Sequence, residues 1–182
     1  SGGTYTWTTP DAVTIIGATA TRNNITTLMN GTYSVDINLN GCTAASLTTD
    51  VTVEALPAVD AGGNISVCQG STPNMSGSGA GISFQWTLIS GPSIAVIGDL
   101  LSNTGLATSA VKATAPIGTY NLQLTTTSLT NCTASDQVTV TILSNPATPT
   151  FTASPNPVCA GSNLTLTITN VASGGTYIWT TP

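Results

Sequence analysis

The chain has 182 residues, two of them basic, seven acidic and none histidine, for a net charge of −5. Two cations, Arg22 and Lys112, cannot make the basic stripe that neutralises phosphates, so nucleic-acid binding is excluded, and the lack of histidine removes every mechanism that needs an imidazole. Only 5% of residues are charged but 40% are hydrophobic, so uncharged polar groups must supply solubility while enough apolar surface remains for a core.

Along the chain, apolar residues recur with a period of two. Tyr33, Val35, Ile37 and Leu39 alternate with Ser34, Asp36 and Asn38. Ile82, Phe84, Trp86 and Leu88 follow the same rule, as do Tyr120, Leu122 and Leu124, then Val138, Val140 and Ile142, then Leu164, Leu166 and Ile168. Such spacing places apolar side chains on one face of a strand and polar ones on the other. Gly, Pro, Asn and Ser clusters separate the runs as turns do in antiparallel proteins. Only the stretch 97–106 has the look of a short helix, and no apolar run reaches the ~18 residues of a membrane span. The expected fold is all-β, with two antiparallel sheets packed face to face as a sandwich.

The chain opens without a signal-peptide pattern, in the manner of an internal segment. Its first ten residues read SGGTYTWTTP and its last ten SGGTYIWTTP, nine of ten matching at a displacement of 172 residues. The sequence therefore reads as one period of a tandem array plus a short overlap. Inside the period, Gly31-Thr-Tyr33, Asn40-Gly-Cys42-Thr and Thr49-Asp50-Val-Thr-Val53 are echoed by Gly118-Thr-Tyr120, Asn131-Cys132-Thr and Asp136-Gln-Val-Thr-Val140. Val67-Cys68-Gln-Gly-Ser71 is likewise echoed by Val158-Cys159-Ala-Gly-Ser162. Proline-bearing stretches at 54–57 and 144–149 act as semi-rigid spacers. They divide the chain into residues 1–55, the C-terminal part of one domain, 58–144, a complete domain, and 150–182, the N-terminal part of the next.

These motifs, with Val59-Asp-Ala-Gly62 and the Trp86 strand, resemble the Ig-like and PKD-like repeats of giant cell-surface adhesins of Bacteroidota, including gliding-motility adhesins exported by type IX secretion. The resemblance spans essentially the whole chain. It implies an extracellular, surface-located structural repeat within a long stalk or filament, and in gliding bacteria a filament that gives traction. The same domain type decorates secreted enzymes, so a carbohydrate- or surface-binding accessory module is the alternative.

Four cysteines without histidine and without a Cys-Xaa-Xaa-Cys pair do not suit zinc. Cys68 and Cys132 read as a disulfide of the complete domain, with two buried free thiols as the alternative. Cys42 and Cys159 then read as half-pairs, each bonded within the domain that an adjacent repeat completes, with Cys42 bonded to Cys159 of the same chain as the alternative. Oxidised cysteines agree with an extracellular location.

Several patterns resolve into structure rather than chemistry. Asp36-Ile-Asn38-Leu-Asn40-Gly41 matches half of a calcium loop, but Leu47 stands where the bidentate glutamate is needed. Asp60, Asp99, Asp136 and Glu54 are the candidates for an ion site between domains, and the sequence does not place them relative to one another. Gly77-Ser-Gly79-Ala-Gly81 has no following helix to make a phosphate loop. Trp7, Trp86 and Trp179 fall where immunoglobulin-like sandwiches keep a core tryptophan, although outward-facing they would stack on sugars. Tyr33 and Tyr120 resemble the late-strand tyrosine whose hydroxyl bonds backbone. The scattered acids give no general acid–base pair, so neither enzymatic activity nor a cofactor is expected. The expected partners are neighbouring repeats of the same chain and, because lysine scarcely guards the strand edges, laterally associated copies. A surface polysaccharide or the substratum is a further candidate; membrane insertion is not expected.

Overall fold

The computed structural model describes residues 2–92 and 95–180; Ser1, Thr181 and Pro182, the outermost residues of the terminal repeat, lie outside them. Within 2–55 the strands are β1 (Thr4–Thr8), β2 (Thr14–Ile16), β3 (Gly31–Leu39), β4 (Cys42–Thr43) and β5 (Leu47–Val51). The long strand β3 lies at the centre of one antiparallel sheet, pairing with β1, β4 and β5, while β2 extends the sheet beyond β1. Register sets Trp7 opposite Val35 and Tyr33 opposite Thr49. The β1–β2 turn is pinned by polar bonds: Thr9 Oγ1 donates to Asp11, Val13 N donates to Thr9 Oγ1 at 3.1 Å, and Arg22 pairs with Asp11 at 2.5 Å.

Residues 58–144 hold β6 (Val59–Asp60), β7 (Ile65–Cys68), β8 (Ser78–Gly79), β9 (Ser83–Ser90), a short helix α1 (Ile97–Leu100), β10 (Gly118–Thr127) and β11 (Thr133–Leu143). One sheet runs β7-β11-β10-β9, and β6 pairs β8 in a second, two-stranded one. The sheets are antiparallel except that β7 runs parallel to β11. Alternation reads directly onto burial: Tyr120, Leu122, Leu124 and Thr126 of β10 are buried, as are Val138, Val140 and Ile142 of β11. Met75, Leu100, Leu101 and Val111 join them in the same buried core. Each such side chain contributes roughly 1.5–3 kcal/mol through burial.

Residues 150–180 carry β12 (Phe151–Ser154) and β13 (Thr165–Ile168), an antiparallel pair with Phe151 opposite Ile168. Phe151 and Trp179 meet edge to face with ring centroids 5.7 Å apart. Among the described residues, every fully buried apolar side chain falls between Ala61 and Ile142. The units on either side each present one apolar face with no second layer over it.

Two sequence expectations change here. Trp179, expected in a core, is 47% exposed, because only Phe151 and its neighbours flank it and no sheet covers it. The Cys68–Cys132 disulfide is not formed, and the register says why. Cys68 pairs across from Leu143 at the far end of β11, whereas Cys132 immediately precedes Thr133 at the near end. The 11 residues of β11 separate the two by roughly 35 Å at about 3.3 Å per residue. A disulfide needs its Cα atoms about 4.4–6.8 Å apart. All four cysteines are free thiols; Cys132 is half-buried and the other three are exposed, so they are not buried thiols either.

Candidate interaction surfaces

The motif shared by the first two units performs the same task in each. Gly31 and Gly118, which open the Gly-Thr-Tyr strands, have φ of +136° and +149°, a region open to glycine and costly for other residues. Two residues on, Tyr33 Oη donates to Met29 O at 3.0 Å and Tyr120 Oη to Pro116 O at 2.8 Å. Each phenol thus ties its strand to backbone four residues upstream. The indoles behave alike: Trp7 Nε1 donates to Gly17 O at 2.9 Å, and Trp86 Nε1 to Leu106 O at 2.9 Å. A core tryptophan beside a tyrosine-anchored strand is an immunoglobulin-like arrangement. Trp86 and Tyr120 have no exposed surface, whereas Trp7 and Tyr33 are only half-buried.

Five of the carboxylates, Asp11, Asp36, Asp50, Asp60 and Asp136, accept hydrogen bonds from nearby backbone or hydroxyl groups. Asp136 accepts from Ala61 N at 2.8 Å, and the N–H groups of Ala61 and Gln137 hold its carboxyl below the usual aspartate range. The Thr9 hydroxyl, helped by the Arg22 charge, does the same for Asp11. Asp36 accepts from Ser46, Asp50 from Thr32 at 2.6 Å and Asp60 from Gly62 N at 2.7 Å. Burial, with the nearby Asp99 charge, raises the Tyr120 phenol. Among the described residues no three His, Cys, Asp or Glu side chains gather as metal ligands. Asp60, Asp99, Asp136 and Glu54 are accordingly not brought into one ion site.

Two of the open grooves are lined mainly by apolar side chains. Trp7, Ile15, Ile25, Tyr33 and Val51 line a groove of about 300 Å³ in the first unit. Phe151, Leu166, Ile168, Tyr177, Ile178 and Trp179 line another of about 370 Å³ in the last. Sequence reading did not single out these grooves as surfaces. The signal was present in the alternating runs at Tyr33–Leu39 and Leu164–Ile168, whose apolar faces have no complement within the same unit.

No protein-family model matches the chain, and no curated protein matches it. Among solved structures it is similar to the PKD domain of the KIAA 1837 protein, at 22% identity and a TM-score of 0.41, covering 54% of this chain and 99% of that one. It is also similar to the N-terminal eight Ig domains of Down syndrome cell adhesion molecule, at 13% identity and a TM-score of 0.40, covering 91% of this chain and 27% of that one. A third is the insect immune protein hemolin, at 13% identity and a TM-score of 0.34, covering 79% of this chain and 40% of that one. The chain itself is all-β with immunoglobulin-like, sandwich-type sheets, and among the described residues no helix is long and apolar enough to cross a membrane.

Proposed function

We propose that the chain is a structural repeat of a long extracellular adhesin stalk or filament, presenting an adhesive region away from the cell surface for surface adhesion and gliding motility. The observation that carries this reading is the match between the two ends of the chain. Nine of ten terminal residues recur 172 positions apart, and the units bearing them have open apolar faces. In consecutive copies, the strands β12 and β13 of one copy and the sheet β1–β5 of the next become the two layers of one sandwich. Burying two apolar faces against each other is the general reason for layered domains. The period then holds two domains, and the partners of each repeat are its neighbours in the same chain.

One feature of the first unit supports this. Strand β5 stops at Val51, while the equivalent β11 continues to Leu143 alongside β7. The equivalent of β7 for the first unit is the Val158-Cys159 segment, supplied by the preceding copy. Past Val51 the backbone has no strand beside it, and Val53 N donates to the Asn30 side chain at 3.2 Å instead.

One observation favours the accessory-module reading. Trp179, Phe151 and Tyr177 form an exposed aromatic groove of the type on which sugar rings stack. An antibody against this chain, applied to fractionated cells under non-reducing conditions, separates the two. A very large cell-associated band supports the stalk; a band of ordinary enzyme size in the medium overturns it in favour of the accessory module.

A further inference from the structure

The cysteines sit at opposite poles of the domain, and the chain runs from one pole to the other. In the complete domain, the pole where the chain begins is marked by Ala58, whose carbonyl accepts from Ala80 N at 2.9 Å, and by Ile82 N, which donates to Thr127 O at 2.8 Å. The turn after Thr127 ends in Cys132, held by Ser128 N donating to Cys132 O at 2.9 Å. The pole where the chain leaves carries Cys68. There Gln69 N donates to Leu143 O at 2.9 Å, and Asn145 Nδ2 donates to Gln69 O at 3.0 Å.

The flanking units repeat this placement. Cys42 follows the turn after β3 and pairs across from Leu39, as Cys132 follows β10. Cys159 lies in the same turn as Cys68: Ser162 N donates to Cys159 O at 3.0 Å and Ser71 N to Cys68 O at 3.1 Å. Gly161 and Gly70 in those turns have φ of +81° and +93°. Every domain of the array therefore has one cysteine at its leading pole and one at its trailing pole. The spacer from Asn145 to Phe151 is short and holds Pro146 and Pro149; at about 3.3–3.6 Å per residue it reaches no more than roughly 20 Å. The trailing pole of one domain must lie close to the leading pole of the next.

We infer that the cysteines staple neighbouring domains across these junctions: Cys68 bonds the Cys42 of the following copy, and Cys159 bonds the Cys132 of the following copy. The inference rests on the array reading above and replaces the pairing within domains that the register forbids. Exposure of Cys42, Cys68 and Cys159 leaves their thiols open to a partner outside their own unit. With two basic residues in the chain, ion pairs cannot lock the junctions, and a covalent bridge beside each proline spacer does so instead. Each bridge forms from two thiols by exchange with a small-molecule or protein disulfide. One sulfur–sulfur bond forms and one breaks, and the oxidant leaves as two thiols carrying the two electrons and two protons.

The test uses two consecutive periods in one polypeptide, oxidised with glutathione disulfide and digested without reduction. Mass spectrometry should find the Cys68 peptide joined to the second copy's Cys42 peptide, and the first copy's Cys159 peptide joined to the second copy's Cys132. Half of the thiols should become unreactive to a thiol reagent, and Cys68→Ser should return one of them. Cys68 joined to Cys132 of its own copy, Cys159 joined to the second copy's Cys42, or full thiol reactivity after oxidation would each overturn the inference. X-ray scattering of the same sample keeps the two readings apart. A rod with free thiols removes the staples alone, whereas a compact particle removes the array on which they rest.

Discussion

Gly118→Ala is the perturbation whose cost the structure specifies most fully. Gly118 begins β10 at φ +149°, and a Cβ built there would stand 2.5 Å from Pro92 Cγ and 3.2 Å from its Cδ. Proline is fixed in its ring and cannot swing away. Holding a non-glycine residue in this region costs on the order of 1–3 kcal/mol, and forcing a methyl into filled space a further ~1–3 kcal/mol. The sum, about 4 kcal/mol at mid-range, is large beside a domain stability of about 5–15 kcal/mol. It corresponds to a fall in Tm of roughly 15–30 °C for a domain of this size. Gly31→Ala is the internal comparison. Its φ is +136°, but the nearest atoms, Pro10 Cβ and Cγ, would be 3.3 Å away, so strain remains while the clash is mild, and about 1–2 kcal/mol is expected. Urea unfolding followed by far-UV circular dichroism at 25 °C measures both. Equal losses for the two variants, or a loss below about 1 kcal/mol for Gly118→Ala, would refute the reasoning.

Removing the Tyr120 hydroxyl with Tyr120→Phe takes the donor from Pro116 O and should cost about 1 kcal/mol in denaturant unfolding. Tyr33→Phe, on the half-covered unit, should cost less; the reverse order would contradict the account. Asp136 is held below its ordinary range by backbone N–H groups, so its native form binds a proton more weakly than the unfolded chain does. Its contribution is therefore present above the unfolded value of about 4 and lost as pH falls below it. Asp136→Asn should flatten the stability profile below about pH 4, and parallel profiles for the two proteins would count against that. In fluorescence quenching by acrylamide, Trp86→Phe should abolish the shielded component, because Trp86 is fully buried and Trp179 is 47% exposed. Loss of the shielded component in Trp179→Phe instead would contradict the burial described here.

The strands at Tyr33–Leu39, Tyr120–Leu124 and Val138–Ile142 were legible because a period of two on a one-sided sheet leaves an unambiguous alternation. The short helix at Ile97–Leu100 falls inside the stretch 97–106 that stood out from the alternating runs. Two things were not legible. Alternation says which residues share a face, but not which strand lies beside which. The parallel pairing of β7 with β11, which carries Cys68 to the opposite pole from Cys132, leaves no mark in either strand. Nor does alternation tell whether a second layer is present. Leu164 and Leu166 alternate as regularly as Leu122 and Leu124, yet they stand 49% and 40% exposed because nothing within the same unit covers them. The Gly-Thr-Tyr motif, by contrast, was readable as a repeated signature, and its glycine has a physical cause in the positive φ and the facing proline.

The central claim, that consecutive copies complete one another's domains in a linear array, is tested most directly by small-angle scattering from two joined periods. Strand β11, with 11 residues, sets a domain length of about 36 Å. Two joined periods hold three complete domains with an incomplete unit at each end; the three alone, with their spacers, measure at least roughly 120 Å, which for a rod gives a radius of gyration of about 35 Å or more. A single compact body of the same chain length would have a radius near 20 Å. The account predicts the larger value, rising by a constant increment in length with each added period. A value near 20 Å would contradict it.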